Sequence, residues 1–218
     1  MSPNIEAILF DFGGVFTDSP FAAAADLGRR LGAPPARVMQ IVFGPYHEDG
    51  NHPWHRLERG ELSLEDARSE ILKLGEAENI DVDPYAVLAE LATGDHSRPA
   101  VTACVYDLRR RGYKTAIVTN NAHEFRETWR AMLPVDEMFD IIVDSSEQGV
   151  RKPDPEIFRR TLSLLGDVRP ERAAFLDDYA GNVEAAERLG LHGILVESDP
   201  TSALESLAGL LGVPVWTG

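Results

Sequence analysis

Five short apolar runs constrain this chain more than any other feature. They are Ala7-Ile8-Leu9-Phe10, Thr115-Ala116-Ile117-Val118, Ile141-Ile142-Val143, Ala173-Ala174-Phe175-Leu176 and Gly193-Ile194-Leu195-Val196. A strand wetted on one face alternates apolar with polar residues. Continuous runs of this length instead read as strands buried on both faces, as in a parallel sheet. Helical patterns separate the later runs, over Val101 to Arg111, Pro155 to Leu165, Asn182 to Leu189 and Ala203 to Leu211. Strands alternating with helices predict right-handed crossovers and a doubly wound α/β sheet. The first run stands apart, because residues 11–114 separate it from the second. That gap reads mostly helical, over Phe21 to Leu31, Ala36 to Val42, Leu64 to Leu74 and Tyr85 to Leu91. Pro34-Pro35, Gly44-Pro45, Asp49-Gly50-Asn51 and Asp83-Pro84 punctuate it. The pattern predicts a helical insertion over residues 18–93 lying on the sheet, and a core built from 1–17 and 94–218.

Composition narrows the function. A chain of 218 residues can bury a core without disulfide or metal staples. Hydrophobic residues at 44% and charged residues at 26% are ordinary for a soluble globular protein and exclude disordered, collagen-like and coiled-coil classes. Charge is less ordinary: 21 Lys and Arg against 36 Asp and Glu give −15. Such a surface repels phosphate backbones and anionic lipid, so neither nucleic acid nor a membrane is expected as partner. Cys104 is the only cysteine, which rules out an intramolecular disulfide and a Cys-based metal cage and fits a reducing cytoplasm. The start lacks a basic n-region, and no apolar stretch approaches the length of a bilayer span. A cytoplasmic monomer or homodimer is the expectation.

In open α/β sheets, ligands bind beyond the carboxyl ends of the strands. Run one is followed by Asp11-Phe12-Gly13-Gly14, run two by Thr119-Asn120-Asn121, and run four by Asp177-Asp178 and then Gly181-Asn182. A loop after run three carries Arg151-Lys152-Pro153-Asp154-Pro155. Each alone has a plain structural reading: a strand-end Asp caps a turn or helix, Thr-Asn makes a turn, and a lone Lys is a solvated charge. A carboxylate, a hydroxyl, an ammonium and a carboxylate pair at successive strand ends form a stronger signal together. Asp154 fits a helix N-cap with Pro155 at the first helical position, which would aim Lys152. Asn121, His123 and Glu124 either face substrate or start a helix. Cys104 falls on the apolar helical face with Val101 and Leu108, and Trp129 and Trp216 read as packing.

The constellation resembles the haloacid dehalogenase (HAD) superfamily. Its four motifs are matched in order by Ile8 to Val15 around Asp11, Ile117-Val118-Thr119-Asn120, Lys152-Pro153-Asp154-Pro155, and Phe175-Leu176-Asp177-Asp178 with Asn182. The insertion resembles the family's C1-type helical cap. Leu57-Glu58-Arg59-Gly60-Glu61-Leu62-Ser63 resembles the subgroup containing the N-terminal domain of soluble epoxide hydrolase. The resemblance implies a Rossmann-like core with a five-stranded parallel sheet of order 3-2-1-4-5. It also implies Mg²⁺-dependent hydrolysis of a small phosphorylated metabolite through an aspartyl-phosphate on Asp11. Asp11, the Gly13 carbonyl and Asp178 are then the metal ligands, with Asp177 and Asn182 behind them. Thr119, Asn120 and Lys152 are the phosphate-binding residues, and Asp11, Thr119 and Lys152 the catalytic ones. The metal suits the chemistry, because a divalent cation cancels the repulsion between a carboxylate and a phosphate dianion.

One position departs from the family's phosphatases, which carry a second Asp two residues after the nucleophile. Here that residue is Gly13. The missing group is a general acid/base, typically worth roughly 10²–10⁴ in rate. Substrates with stabilised leaving groups, such as anomeric sugar, acyl or aryl phosphates, are therefore expected, and His47, His52 and His55 are candidate substitute donors. A 2-haloacid dehalogenase also lacks this Asp, but its first motif carries Tyr then Gly-Thr where Gly13-Gly14-Val15 stand. A phosphonatase needs a cap lysine, for which the insertion offers only Lys73. A third alternative is a HAD-fold binding or regulatory protein that has lost catalysis.

Overall fold

The computed structural model describes residues 4–91 and 97–214. Strand β1 (Ala7–Phe10) is followed by five helices: α1 (Pro20–Leu31), α2 (Pro35–Phe43), α3 (Pro53–Glu58), α4 (Leu64–Ala77) and α5 (Pro84–Leu91). Helix α6 (Pro99–Arg110) leads into β2 (Lys114–Thr119), and α7 (Arg126–Arg130) and α8 (Val135–Met138) precede β3 (Ile141–Asp144). Then come α9 (Ser145–Gln148), α10 (Pro155–Leu164), β4 (Ala173–Asp177), α11 (Ala180–Leu189), β5 (His192–Leu195) and α12 (Thr201–Leu211). The sheet is all parallel in the order β3-β2-β1-β4-β5, the order that the resemblance implies.

Both faces of the sheet are covered, which is why the strands read as continuous apolar runs. Ala7 and Leu9 point to one face, against Ile157 and Phe158 of α10 and Ala185 and Ala186 of α11. Ile8 and Phe10 point to the other, against Val105 and Leu108 of α6 and Leu204 and Leu207 of α12. Phe10 also meets the rings of Phe16 and Phe139 at centroid distances of 5.8 and 6.0 Å. The helices between β1 and α6 close around a separate apolar cluster that includes Leu27, Ile41, Phe43, Leu57 and Ile71.

The long helices match their periodic patterns. Helices α3, α7, α8 and α9 have no counterpart in the sequence reading, because stretches of four to six residues are too short to show a helical period. Helix α6 begins at Pro99, two residues before its apolar pattern, because proline suits the first turn of a helix. Trp216 and the expected junction at residues 93 and 94 lie outside the described residues. Among the described residues, no helix is long and apolar enough to cross a membrane.

Cys104 is fully buried in the α6 face of the core, and burial pushes its thiol pKa up. The native protein should therefore resist a thiol reagent at pH 8 and react stoichiometrically once unfolded in guanidinium, read as absorbance of the released chromophore.

Candidate active site

Strand order decides which side chains meet. Strand β1 lies between β2 and β4, so the residues ending these strands converge at one edge. The Asp11 N–H donates to the Leu176 carbonyl at 2.8 Å, which extends the β1–β4 ladder by one residue and sets Asp11 beside Asp177. Thr119 ends β2 and is 3% exposed. Lys152 arrives from the loop between α9 and α10. That loop is fixed from downstream by Asp154, whose carboxylate accepts the Glu156 N–H as N-cap of α10, with Pro155 in the first turn.

The Lys152 ammonium is fully buried between two carboxylates, 2.8 Å from Asp11 Oδ1 and 2.7 Å from Asp177 Oδ2. Burial works against its charge, but Asp11 and Asp177 outweigh burial and hold its pKa above the usual lysine range. The Phe12 N–H donates to the same Asp11 Oδ1 at 2.7 Å. Asp177 is saturated: Oδ1 accepts from the Tyr179 N–H at 2.8 Å, and the Asn182 amide reaches both of its oxygens at 3.1 Å. Asp177 therefore orients the ammonium and has little left to offer a ligand.

Asp178 is different. Its Oδ2 is buried and has no hydrogen-bond partner among the described residues. Gly14 makes room for it. A Cβ at Gly14 would lie 2.1 Å from that oxygen, and the residue's φ of +74° already favours glycine. Burial pushes the Asp178 carboxyl up to about 8, with the charges of Asp177 and Asp11 adding to the effect. Burial likewise pushes Asp11 up to about 7, with Lys152 opposing and Asp177 reinforcing. Carboxylate oxygens of Asp11, Asp177 and Asp178 lie within 4.8 Å of one another. Three carboxyls against one ammonium leave a deficit of positive charge. An all-oxygen donor set with an unpaired buried oxygen fits a hard divalent cation and not a thiolate- or imidazole-seeking metal.

A family model for haloacid dehalogenase-like hydrolases matches residues 5–190. This chain belongs to that family. The mouse (Mus musculus) acyl-CoA dehydrogenase family member 10 is 32% identical over 219 residues, covering 99% of this chain and 20% of the relative. The rat (Rattus norvegicus) bifunctional epoxide hydrolase 2 is 32% identical over 126 residues, covering 56% of this chain and 22% of the relative. The chain thus spans about a fifth of the length of these two relatives. A Mycobacterium tuberculosis protein named as a phosphatase is 26% identical over 206 residues, covering 89% of this chain and 88% of that one. Among solved structures, a HAD family enzyme of Bacteroides thetaiotaomicron in complex with magnesium and inorganic phosphate superposes with a TM-score of 0.58 at 19% identity, covering 89% of this chain and 96% of that one.

The structure brings together Asp11, Lys152, Asp177, Asp178 and Asn182, and sets Thr119 at the end of the neighbouring strand β2. The Asn120 side chain is directed elsewhere. Its amide donates to the Lys152 carbonyl and to the Tyr46 hydroxyl, both at 3.0 Å, and its Oδ1 accepts the Lys152 N–H at 2.8 Å. Glu124 accepts the Leu64 N–H at the start of α4, a helix far from it in the chain, and Asn121 turns onto the N–H of the next residue, Ala122. Lys73 is exposed on α4. His52 and His55, the candidate substitute donors, sit in buried surroundings. Burial drops their pKa values to about 4 and about 3, and their Nδ1 atoms accept backbone N–H groups from Trp54 and Gly50.

Several neighbours escape the sequence reading: Gly14 under Asp178, Ser19 beside it, and the buried Arg151. Arg151 precedes Lys152 in the chain, and nothing in that dipeptide marks which cation pairs with the strand-end carboxylates and which with a distant helix.

Gly14→Ala should lose divalent-cation binding and cost at least about 1–2 kcal/mol of stability from its left-handed backbone alone. Gly13→Ala, whose Cβ meets nothing closer than 3.7 Å, should leave both near wild type, as read by calorimetric titration and thermal melts. Protons and cation compete for the Asp11 and Asp178 oxygens, so a divalent cation should raise Tm more at pH 8 than at pH 5.

Proposed function

We propose that this protein is a Mg²⁺-dependent phosphatase of a small phosphorylated metabolite, with Asp11 as nucleophile. The observation that carries the reading is Lys152 pinned between Asp11 and Asp177, beside an unpaired Asp178 oxygen that Gly14 accommodates. The phosphatase name of the full-length M. tuberculosis relative and the magnesium and phosphate in the B. thetaiotaomicron structure support it.

Asp11, the Gly13 carbonyl and Asp178 would hold the ion. Bound there, magnesium would neutralise the phosphate dianion and draw charge from its oxygens. The chain's own residues do the rest. The Thr119 hydroxyl and the Asn120 main-chain N–H hold phosphate oxygens. An Asp11 oxygen forms a bond to phosphorus as the ester P–O bond breaks. The Lys152 ammonium, kept protonated by its two carboxylates, balances the charge on the transferring group. The departing oxygen takes its proton from water, since position 13 carries no acid. Water then attacks the aspartyl-phosphate, releasing phosphate and restoring Asp11. Leaving groups that tolerate negative charge are favoured for this reason.

The helical layer is assigned as a cap over residues 18–93 on a core of 1–17 and 94–218, excluding water from the reacting groups. A free, buried Cys104 supports a reducing, cytoplasmic setting. A monomer or homodimer suffices, because every motif residue comes from one chain. Gly13 is the observation that favours a second reading, 2-haloacid dehalogenation, while the paired Asp177 and Asp178 favour the phosphatase.

Phosphate release from an aryl phosphate should require both Mg²⁺ and Asp11, falling to background with chelator or in Asp11→Asn. Halide release from a 2-haloacid without any metal-dependent phosphate release would replace this reading with the dehalogenase. A Cβ at Gly13 would make only ordinary contact with Pro20, at 3.7 Å, which makes a further gain testable: Gly13→Asp should speed alkyl phosphate hydrolysis by roughly 10²-fold or more, measured as kcat on a panel of alkyl and aryl esters.

A further inference from the structure

Arg151 is fully buried, and its charge is answered from the helical layer. Its Nε lies 2.6 Å from Oε2 of Glu58, the last residue of α3. Its guanidinium sits 4.4 Å over the Tyr46 ring. The other Glu58 oxygen accepts the Tyr46 hydroxyl at 2.7 Å and the Trp54 indole N–H at 2.9 Å. Tyr46 in turn accepts the Asn120 amide, and Asn120 clamps both the N–H and the carbonyl of Lys152. These contacts close a ring from Glu58 through Tyr46, Asn120 and the Lys152 backbone to Arg151, and back to Glu58.

Stability alone does not explain the ring. A buried ion pair holds two elements together no better than an apolar pair of similar size, and Arg151 Nη2 is left without a partner. An apolar contact can slide with little loss. A ring of directed bonds cannot, and it passes through the backbone of the residue whose ammonium touches Asp11.

We propose that Glu58 and Arg151 are positioning residues for Lys152, so that its ammonium is placed between Asp11 and Asp177 only when α3 is docked on the core. The catalytic consequence rests on the phosphatase reading; the placement of the ammonium does not.

The test uses the chain's small set of lysines, Lys73, Lys114 and Lys152. With ¹⁵N-labelled lysine, the buried Lys152 ammonium should give a signal protected from exchange with water, separate from that of the exposed Lys73. In Glu58→Met/Arg151→Met, which removes both charges at similar volume, and in the milder Tyr46→Phe, that signal should shift and lose its protection while the circular dichroism spectrum stays native. On an aryl phosphate, kcat should fall by roughly 10- to 100-fold in the double variant with little change in KM. Glu124→Ala loosens a different anchor of the layer, the bond to the Leu64 N–H, and should leave the Lys152 signal unchanged. A protected, unshifted Lys152 signal in the folded double variant and in Tyr46→Phe would overturn the proposal, as would an equal loss in Glu124→Ala. If wild type releases no phosphate, the phosphatase reading fails alone, and the lysine signal still decides the positioning role.

Discussion

One buried ammonium carries the electrostatics of this molecule. Parallel pairing of β1 with β4 puts Asp11 and the Asp177-Asp178 pair side by side, and carboxylates that close repel one another. Lys152 makes the arrangement tenable by bonding the first and second of them. The rest of the site serves that placement. Asn182 and the Tyr179 N–H keep Asp177 aimed, Asn120 fixes the lysine backbone, and Gly14 leaves room for the third carboxylate. Three carboxyls against one ammonium favour a cation there, while the raised pKa values of Asp11 and Asp178 come first from burial.

Strand ends are legible in a sequence because the information is local. Asp11, Thr119 and Asp177 each follow an apolar run directly, so their position at the sheet edge follows from the runs themselves. Lys152 is legible only through the motif around it, since it stands in a loop. The side-chain direction of Asn120 is not legible at all, because its partners Tyr46 and Lys152 lie 74 and 32 residues away. The same holds for Glu58 and Arg151, which are 93 residues apart. His52 and His55 look like proton donors in a loop rich in polar residues, but burial, a tertiary property that the loop does not announce, lowers their pKa values.

The two adjacent glycines illustrate the limit well. Gly13 and Gly14 are indistinguishable as letters. In space, the first has a backbone outside the left-handed region, and a Cβ there would make only ordinary contact with Pro20, at 3.7 Å. The second has a left-handed backbone and an acid pressed against its Cα, so no other residue fits. The glycine that departs from the phosphatase pattern is the one where a Cβ meets no close contact.

The pairing register of β1 also bears on biosynthesis. Ala7 pairs with Lys114 on one side and Ala173 on the other. At about 5–20 residues per second, a ribosome needs roughly 5–20 s after making β1 before the first of these partners exists. The helices of the layer, whose contacts are mostly with one another, can gather during that delay around Leu27, Ile41 and Leu57. An apolar strand with both edges open meanwhile waits as a target for chaperones, or for the same strand of a neighbouring nascent chain.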